Sequence, residues 1–264
     1  VGAHGIIFSS SDGSSWTERL GVNNSTAASK NLRGVTYGNS TFVVVGYSGT
    51  IITSFDGITW TSRTSVSSTG LGGVSYFNDA FWMVQTSGIG GIIHTSTYGI
   101  SWDNITTGFS VNFHDIKYGN SKYVVVGGLQ NNIFTSSDGT SWDNQSLTAN
   151  GYFHDLIYEN GIFLAVGTSG QISTSTDGIS WVDRTTQGNH LYGVTYGNST
   201  FVAVGTNGLI LTSSDGSTWT ERLAINNSVA QNPYIQPATT GELKGVTYAN
   251  STFVAVGDSG TILT

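Results

Sequence analysis

Two copies of Phe-His-Asp, Phe113–Asp115 and Phe153–Asp155, set an imidazole beside a carboxylate, a pairing able to bind a divalent metal or a polar ligand. His190 belongs with them as a third imidazole. Five aspartates, Asp12, Asp56, Asp138, Asp177 and Asp215, each precede a glycine in one recurring phrase. Carboxylates repeated in this way suit calcium ligation or paired acid–base chemistry. The phrase argues for something plainer: an Asp at a tight turn finds N–H donors in its own backbone, which makes it structural. Arg19, Arg63, Arg184 and Arg222 each follow a tryptophan by three residues and are expected to pair with neighbouring repeats, which leaves Arg33 as the exception. The expected tally is no catalytic residue, no metal and no cofactor.

Bulk properties exclude several other chemistries. The net charge is −7, only 9% of residues are charged, and neither Lys nor Arg forms a run. A nucleic-acid groove needs clustered cations, so that partner is not expected. There is no cysteine, hence no disulfide framework and no thiolate site. No apolar run approaches the ~20 residues of a membrane helix, so no membrane insertion is expected. The chain opens Val-Gly-Ala-His-Gly without a Met or a signal peptide, as expected for part of a longer protein with neighbouring domains.

A repeat must position these residues. LxGVTYGNSTFVAVGxxGxIxTSSDGxxWTxR stands almost intact at Leu191–Arg222. It recurs at Leu32–Arg63, Leu71–Trp102, Phe113–Trp142 and Phe153–Arg184, and is cut short at Leu243–Thr264. We number these copies I to VI from Leu32. The closing tryptophans are Trp16, Trp60, Trp102, Trp142, Trp181 and Trp219, at intervals falling from 44 to 38 residues. A period near forty with strand-like content predicts a propeller or solenoid, since one copy cannot bury its apolar face alone. Gly, Ser, Thr and Asn dominate, a composition that often means disorder, but 12% aromatic residues and Val/Ile alternation supply a core.

Within a copy the pattern has period two, and four short runs are separated by turn signals. Strand A reads GVTY, strand B FVAV, strand C follows a glycine-rich turn, and an Asp-Gly turn delivers strand D with its Trp. Four antiparallel strands per copy predict an all-β propeller, residues 1–264 forming a single domain. The ends are out of phase. Residues 243–264 supply strands A, B and C, and residues 1–31 complete that last blade with C and D, so Val1–Ser9 repeats the role of Val256–Thr264. Six blades with a shared terminal blade is the expectation, with seven as the alternative.

At the C–D turn the wording Ser213-Ser214-Asp215-Gly216-Ser217-Thr218-Trp219 resembles the Asp-box, S-x-D-x-G-x-T-W, of the sialidase-like or BNR-repeat β-propellers. The residue between Asp and Gly is missing here, so this is a shortened variant, and Tyr98 replaces the acid in copy II. The resemblance spans the chain and implies blade architecture, with the six tryptophans packed between sheets. Sialidase-like enzymes set three arginines on a substrate carboxylate and add a Tyr/Glu pair. Only Arg33 lies where such an arginine would be needed, and of the close carboxyls a retaining glycosidase requires only Asp115 and Asp155 are plausible. A photosystem-assembly type of propeller would be expected to carry a basic patch, which is missing.

In a propeller blade the B–C and D–A connections share one face, and the A–B and C–D turns share the other. The first face varies between copies. Its D–A connection at Leu223–Glu242 holds both prolines, Pro233 and Pro237, and offers Asn226 and Tyr234 as ligand contacts. The residue entering strand A runs Arg33, Gly72, His114, His154, Tyr192, Lys244, followed by Gly34, Gly73, Asp115, Asp155, Gly193, Gly245. With strand A innermost, this series lines the mouth of the channel. Trp82, in a strand interior where other copies carry Val or Leu, is expected in the core between blades. The Asn-x-Ser/Thr sequons at Asn39, Asn198 and Asn250 coincide with the A–B turn and need no glycan to explain them.

These readings predict a non-catalytic binding or adhesion propeller, extracellular, on a cell surface or on a virion, whose ligand is a glycan or a protein. The alternatives are a structural spacer within a tail fibre or surface protein and, disfavoured, a sialidase-like glycoside hydrolase.

Overall fold

A computed structural model describes residues 1–19, 30–86, 91–128, 132–145, 151–186, 188–222 and 241–264. The fold is an all-β, six-bladed propeller of four-stranded antiparallel sheets, and the helical turns of the described residues span three residues each. The chain divides into two compact units, Val1–Thr148 and Ala149–Thr264.

The first unit opens with a two-stranded sheet, Ile7–Ser9 paired with Thr17–Arg19. Copy I follows as Leu32–Gly38, Thr41–Gly46, Ile51–Ser54 and Thr61–Ser62. Copy II is Leu71–Phe77, Ala80–Gln85, Ile92–Ser96 and Asp103–Thr106, and copy III is Phe113–Gly119, Lys122–Gly127, Asn132–Ser136 and Asp143–Asn144. In the second unit copy IV is Phe153–Glu159, Ile162–Gly167, Ile172–Ser175 and Val182–Asp183. Copy V is Leu191–Gly197, Thr200–Gly205, Ile210–Ser213 and Thr220–Arg222, and copy VI has three strands, Leu243–Ala249, Thr252–Gly257 and Ile262–Leu263. The role of strand C is thus played at both chain ends, by Ile7–Ser9 and by Ile262–Leu263. The turns leading into these two strands match as well, with His4 and Gly5 at φ 56° and 74° and Ser259 and Gly260 at 56° and 75°.

Local chemistry explains the meander. In copies I, III, V and VI the A–B turn places Asn and Ser in the left-handed region, as at Asn198 (φ 45°) and Ser199 (φ 56°). That is a type I′ hairpin, whose twist matches the flanking strands and which Asn tolerates. The Asn39 side chain then donates to the Thr97 carbonyl at 3.1 Å, which puts the A–B turn of copy I at the same end as the C–D turn of copy II. At the opposite end the B–C turns of copies I, II, IV, V and VI donate to the residue that precedes strand A: Tyr47 to Asn31, Thr86 to Gly70, Thr168 to Tyr152, Thr206 to His190 and Asp258 to Glu242, at 2.9–3.0 Å. Glycine closes strand B there because a Cβ on Gly205 would lie 1.9 Å from the His190 carbonyl oxygen.

Apolar faces of successive copies bury one another. Val43, Val45 and Ile51 of copy I pack with Leu71, Val74, Phe81 and Met83 of copy II. Leu164, Val166 and Ile172 of copy IV pack with Leu191, Val194, Phe201 and Ala203 of copy V. Each fully buried Phe contributes roughly 2–3 kcal/mol from water exclusion. Trp82 lies in this core: it is buried, stacks on Phe77 at 5.5 Å and packs with Tyr123 and Trp142 of copy III.

Candidate functional site

Strand A carries a register shift in every copy. Leu191 pairs with Gly205, yet Gly193 pairs with Val204, so Tyr192 is an extra residue bulged from the ladder. The same shift falls on Arg33, His114, His154 and Lys244, and in copy II on Gly72 and Gly73. The series that varies between copies is therefore the series of bulge residues. A β-bulge frees one residue from the strand's alternation and re-aims its side chain.

The residue after each bulge explains how closely neighbouring A strands approach. A Cβ on Gly193 would meet the Gly245 Cα at 3.0 Å, and one on Gly73 would meet the Asp115 carboxylate at 2.2 Å. Where Asp replaces this glycine, its carboxylate is committed to the framework. Asp155 accepts the N–H groups of Leu156 (3.0 Å) and of Val194 in the next copy (2.8 Å). Asp115 is buried, accepts the Ile116 N–H at 2.8 Å and pairs with the Lys117 ammonium at 2.6 Å, which also donates to Ser75 Oγ at 2.9 Å. Among the described residues no three His, Asp or Glu side chains gather as a metal-binding set.

In the second unit three bulge residues of successive copies come together. The rings of His154 and Tyr192 lie 5.2 Å apart, and the Lys244 ammonium sits 3.9 Å from the centroid of the Tyr192 ring. His190 flanks Tyr192 at 6.3 Å, its Nδ1 accepting the Ser169 N–H at 3.0 Å. Glu242 ties the group together, pairing with the Lys244 ammonium and accepting the Tyr192 hydroxyl at 3.3 Å. The Lys244 hydrogen bond holds the Glu242 carboxyl below its ordinary range. The Tyr192 hydroxyl is pushed up, chiefly by partial burial. In the first unit Arg33 lies over the Tyr47 ring at 4.4 Å and donates to its hydroxyl. His114 is the partly buried bulge residue of copy III.

Residues 110–234 match the family model of the DUF6242 beta propeller domain, somewhat under half of the chain. No curated protein matches the chain in sequence. Among solved structures, YCF48 bound to D1 peptide is similar over 99% of this chain and 85% of its own, with 16% identity and a TM-score of 0.75. The extracellular domain of BT4673 from B. thetaiotaomicron is similar over the whole chain (100%) and 36% of its own length, with 13% identity and a TM-score of 0.75. Virginiamycin B lyase from Staphylococcus aureus is similar over 88% of this chain and 83% of its own, with 11% identity and a TM-score of 0.69. At these identities the likeness shows the propeller fold alone. Structures of this shape include a lyase and a peptide-bound protein, so the fold does not decide between catalysis and binding.

The five aspartates of the C–D turns are structural in every copy that has one. Asp215 Oδ1 accepts the N–H groups of Ser217 (2.8 Å) and Thr218 (2.9 Å) and the hydroxyl of Ser213 (2.9 Å), and Asp12, Asp56, Asp138 and Asp177 repeat the pattern. These bonds hold Asp12, Asp177 and Asp215 down to about 2, and Asp56 and Asp138 lower still. The indoles of Trp16, Trp142, Trp181 and Trp219 donate to the carbonyl of the turn glycine, whereas Trp60 and Trp102 leave Nε1 buried without a partner. The repeated arginines correct an expectation. Arg19, Arg63 and Arg222 donate to Ser9, Thr53 and Thr212 on strand C of their own sheet rather than to a neighbouring copy, because register sets the guanidinium beside that hydroxyl.

Asn226 and Tyr234, with most of the Leu223–Glu242 connection, lie outside the described residues. Sequence reasoning missed Tyr47, Glu242 and the bulge itself. The bulge had a signal. Leu191 and Val194 are both buried although three residues apart, and an odd spacing within a period-two strand requires an extra residue between them.

Proposed function

We propose that the chain is a non-catalytic binding propeller that takes its ligand at the end bearing the strand A bulges and the B–C turns. One observation carries this reading: the six bulges place the most variable side chains of the repeat at one structurally equivalent position per sheet. Repetition builds the scaffold and variation at a re-aimed residue supplies the contacts. Commitment of Asp115 and Asp155 to backbone N–H groups argues against the two-carboxylate chemistry of a glycosidase. Shortened Asp-boxes are the reading that the Ser-Asp-Gly hydrogen bonds favour for the C–D turns.

The ligand class is a glycan or a protein segment, and the setting is extracellular, on a cell surface or on a virion. Low charge and a surface rich in Gly, Ser, Thr and Asn suit that setting, and the extracellular origin of the BT4673 domain accords with it. The test is a glycan array and a displayed peptide library probed with the full chain and with the double variant Arg33→Ala/Tyr192→Ala. The reading expects hits that the double variant loses while its melting temperature holds. An absence of hits, or hits indifferent to both substitutions, would favour a spacer instead.

A further inference from the structure

The side chains around Tyr192 specify what the second unit would recognise, an inference that rests on the binding reading above. The Tyr192 ring presents the negative face of its quadrupole to an ammonium 3.9 Å away. The same ammonium is paired with the Glu242 carboxylate, which also accepts the Tyr192 hydroxyl. His154 and His190 add two further rings at 5.2 and 6.3 Å, and Asp258 adds a second negative charge to the field felt by Lys244. An aromatic face opposed by a carboxylate is the partner set that recognises an alkylammonium or a guanidinium. Here the chain's own lysine fills it.

Lys244 is weakly held in that position. Its side chain is 45% exposed and that of Glu242 37%, and an ion pair so solvated contributes little. The net charge of −7 draws cations rather than anions to the surface. The first unit repeats the cation–aromatic contact, with the Arg33 guanidinium 4.4 Å from the Tyr47 ring. We propose that Tyr192, Glu242 and their flanking histidines form a recognition site for a lysine or arginine side chain of a protein partner, and that Lys244 competes with that partner for it.

The experiment is an NMR titration of the full chain with the capped peptide acetyl-Gly-Lys-Gly-amide, read at the ring resonances of His154 and His190, which flank Tyr192 and are kept in every variant. Lys244→Met is expected to bind it about fivefold more tightly than the native chain, the scale of one solvated cation–aromatic contact. Lys244→Arg, which keeps a cation in place, should bind like the native chain. Lys244→Met/Tyr192→Leu should lose the response, and added salt should weaken it. Unchanged melting temperatures check that all three variants fold. The inference is overturned if Lys244→Met binds no more tightly than the native chain, or if acetyl-Gly-Glu-Gly-amide binds better than the lysine peptide. Array hits that depend on Tyr192, alongside such a failure, would sink the ligand class and leave the binding reading standing. A chain with no hits of any kind would lose both.

Discussion

At one end of the copy V sheet, Asp215 accepts two backbone N–H groups and a serine hydroxyl that belong to its own turn. At the other end Tyr192 leaves its strand at a bulge and meets side chains from copy IV and copy VI. The first arrangement recurs with nearly the same distances at Asp12, Asp56, Asp138 and Asp177. The second varies between copies, carrying Arg33, Gly72, His114, His154, Tyr192 or Lys244. A group satisfied by its own turn has little left for a partner, whereas a bulge residue is released from the ladder. On the proposed reading, charge at one end acts on stability and charge at the other on recognition.

Acid offers the largest test of that division. Turn hydrogen bonds hold Asp12, Asp177 and Asp215 down to about 2 in the folded chain against an ordinary 3.8, and Asp56 and Asp138 lower. A carboxyl depressed by folding contributes its full stability above its unfolded value, and the contribution is lost as pH falls through the folded value. Thermal melts should therefore hold between pH 7 and 4 as far as these groups are concerned, then fall steeply towards pH 2. A melting temperature that is flat from pH 4 to 2 would break the assignment.

Ser136→Ala is the next largest effect. The hydroxyl is buried, donates to Asp138 at 2.9 Å and accepts the N–H groups of Asp138 (3.2 Å) and Gly139 (2.8 Å). Stranding these partners should cost about 1–3 kcal/mol in a denaturant melt. Copy II provides the internal control. Tyr98 has no carboxylate for Ser96 to serve, and the Ser96 hydroxyl accepts the Gly99 N–H at 2.8 Å, so Ser96→Ala should cost clearly less. Equal losses would mean that the aspartate adds nothing to the turn.

His94 asks whether any departure from the repeat implies function. It lies on strand C of copy II at 1% exposure, where copies I, III, V and VI carry Ile52, Phe134, Leu211 and Leu263 and copy IV carries Ser173. Nδ1 bonds Asn104 Oδ1 at 2.6 Å, while Nε2 is buried without a partner. Burial pushes its pKa below the ordinary 6.5. Stability is then complete above pH 6.5 and is lost as pH falls below it, because the unfolded chain takes the proton more readily. His94→Leu should raise stability by about 1 kcal/mol and flatten the slope below pH 6.5, leaving ligand binding unchanged. A loss of stability would show that the imidazole belongs to the fold rather than burdening it.

Much of this was legible in the sequence, for physical reasons. Period-two runs, Asp-Gly and Asn-Ser turns and the spacing of the tryptophans report local geometry, and the sheets follow them closely. The position that varies was equally visible at Arg33, His154, Tyr192 and Lys244. Its partners were hidden because they depend on which strands meet. Tyr47 reaches Arg33 from a B–C turn, and Glu242 reaches Tyr192 across fifty residues. The repeated arginines misled for the same reason: sequence gives their spacing from Trp, but only register shows the hydroxyl of their own sheet beside them. Asp115 and Asp155 looked like ligands until their N–H donors came into view.

Arg33→Ala should have the smallest effect on stability and draws the sharpest line between the two ends. Arg33 is an exposed bulge residue whose contacts are the face and hydroxyl of Tyr47, itself exposed. Losing one solvated cation–aromatic contact should cost no more than ~0.5–1 kcal/mol. Any ligand selected with the native chain that engages the first unit should nevertheless bind the variant more weakly, measured by calorimetry on the same samples. A large drop in melting temperature would place Arg33 in the framework, since a side chain that stabilises its own strand cannot also be the part free to vary. An intact melt with weakened binding is the combination that only a recognition residue produces.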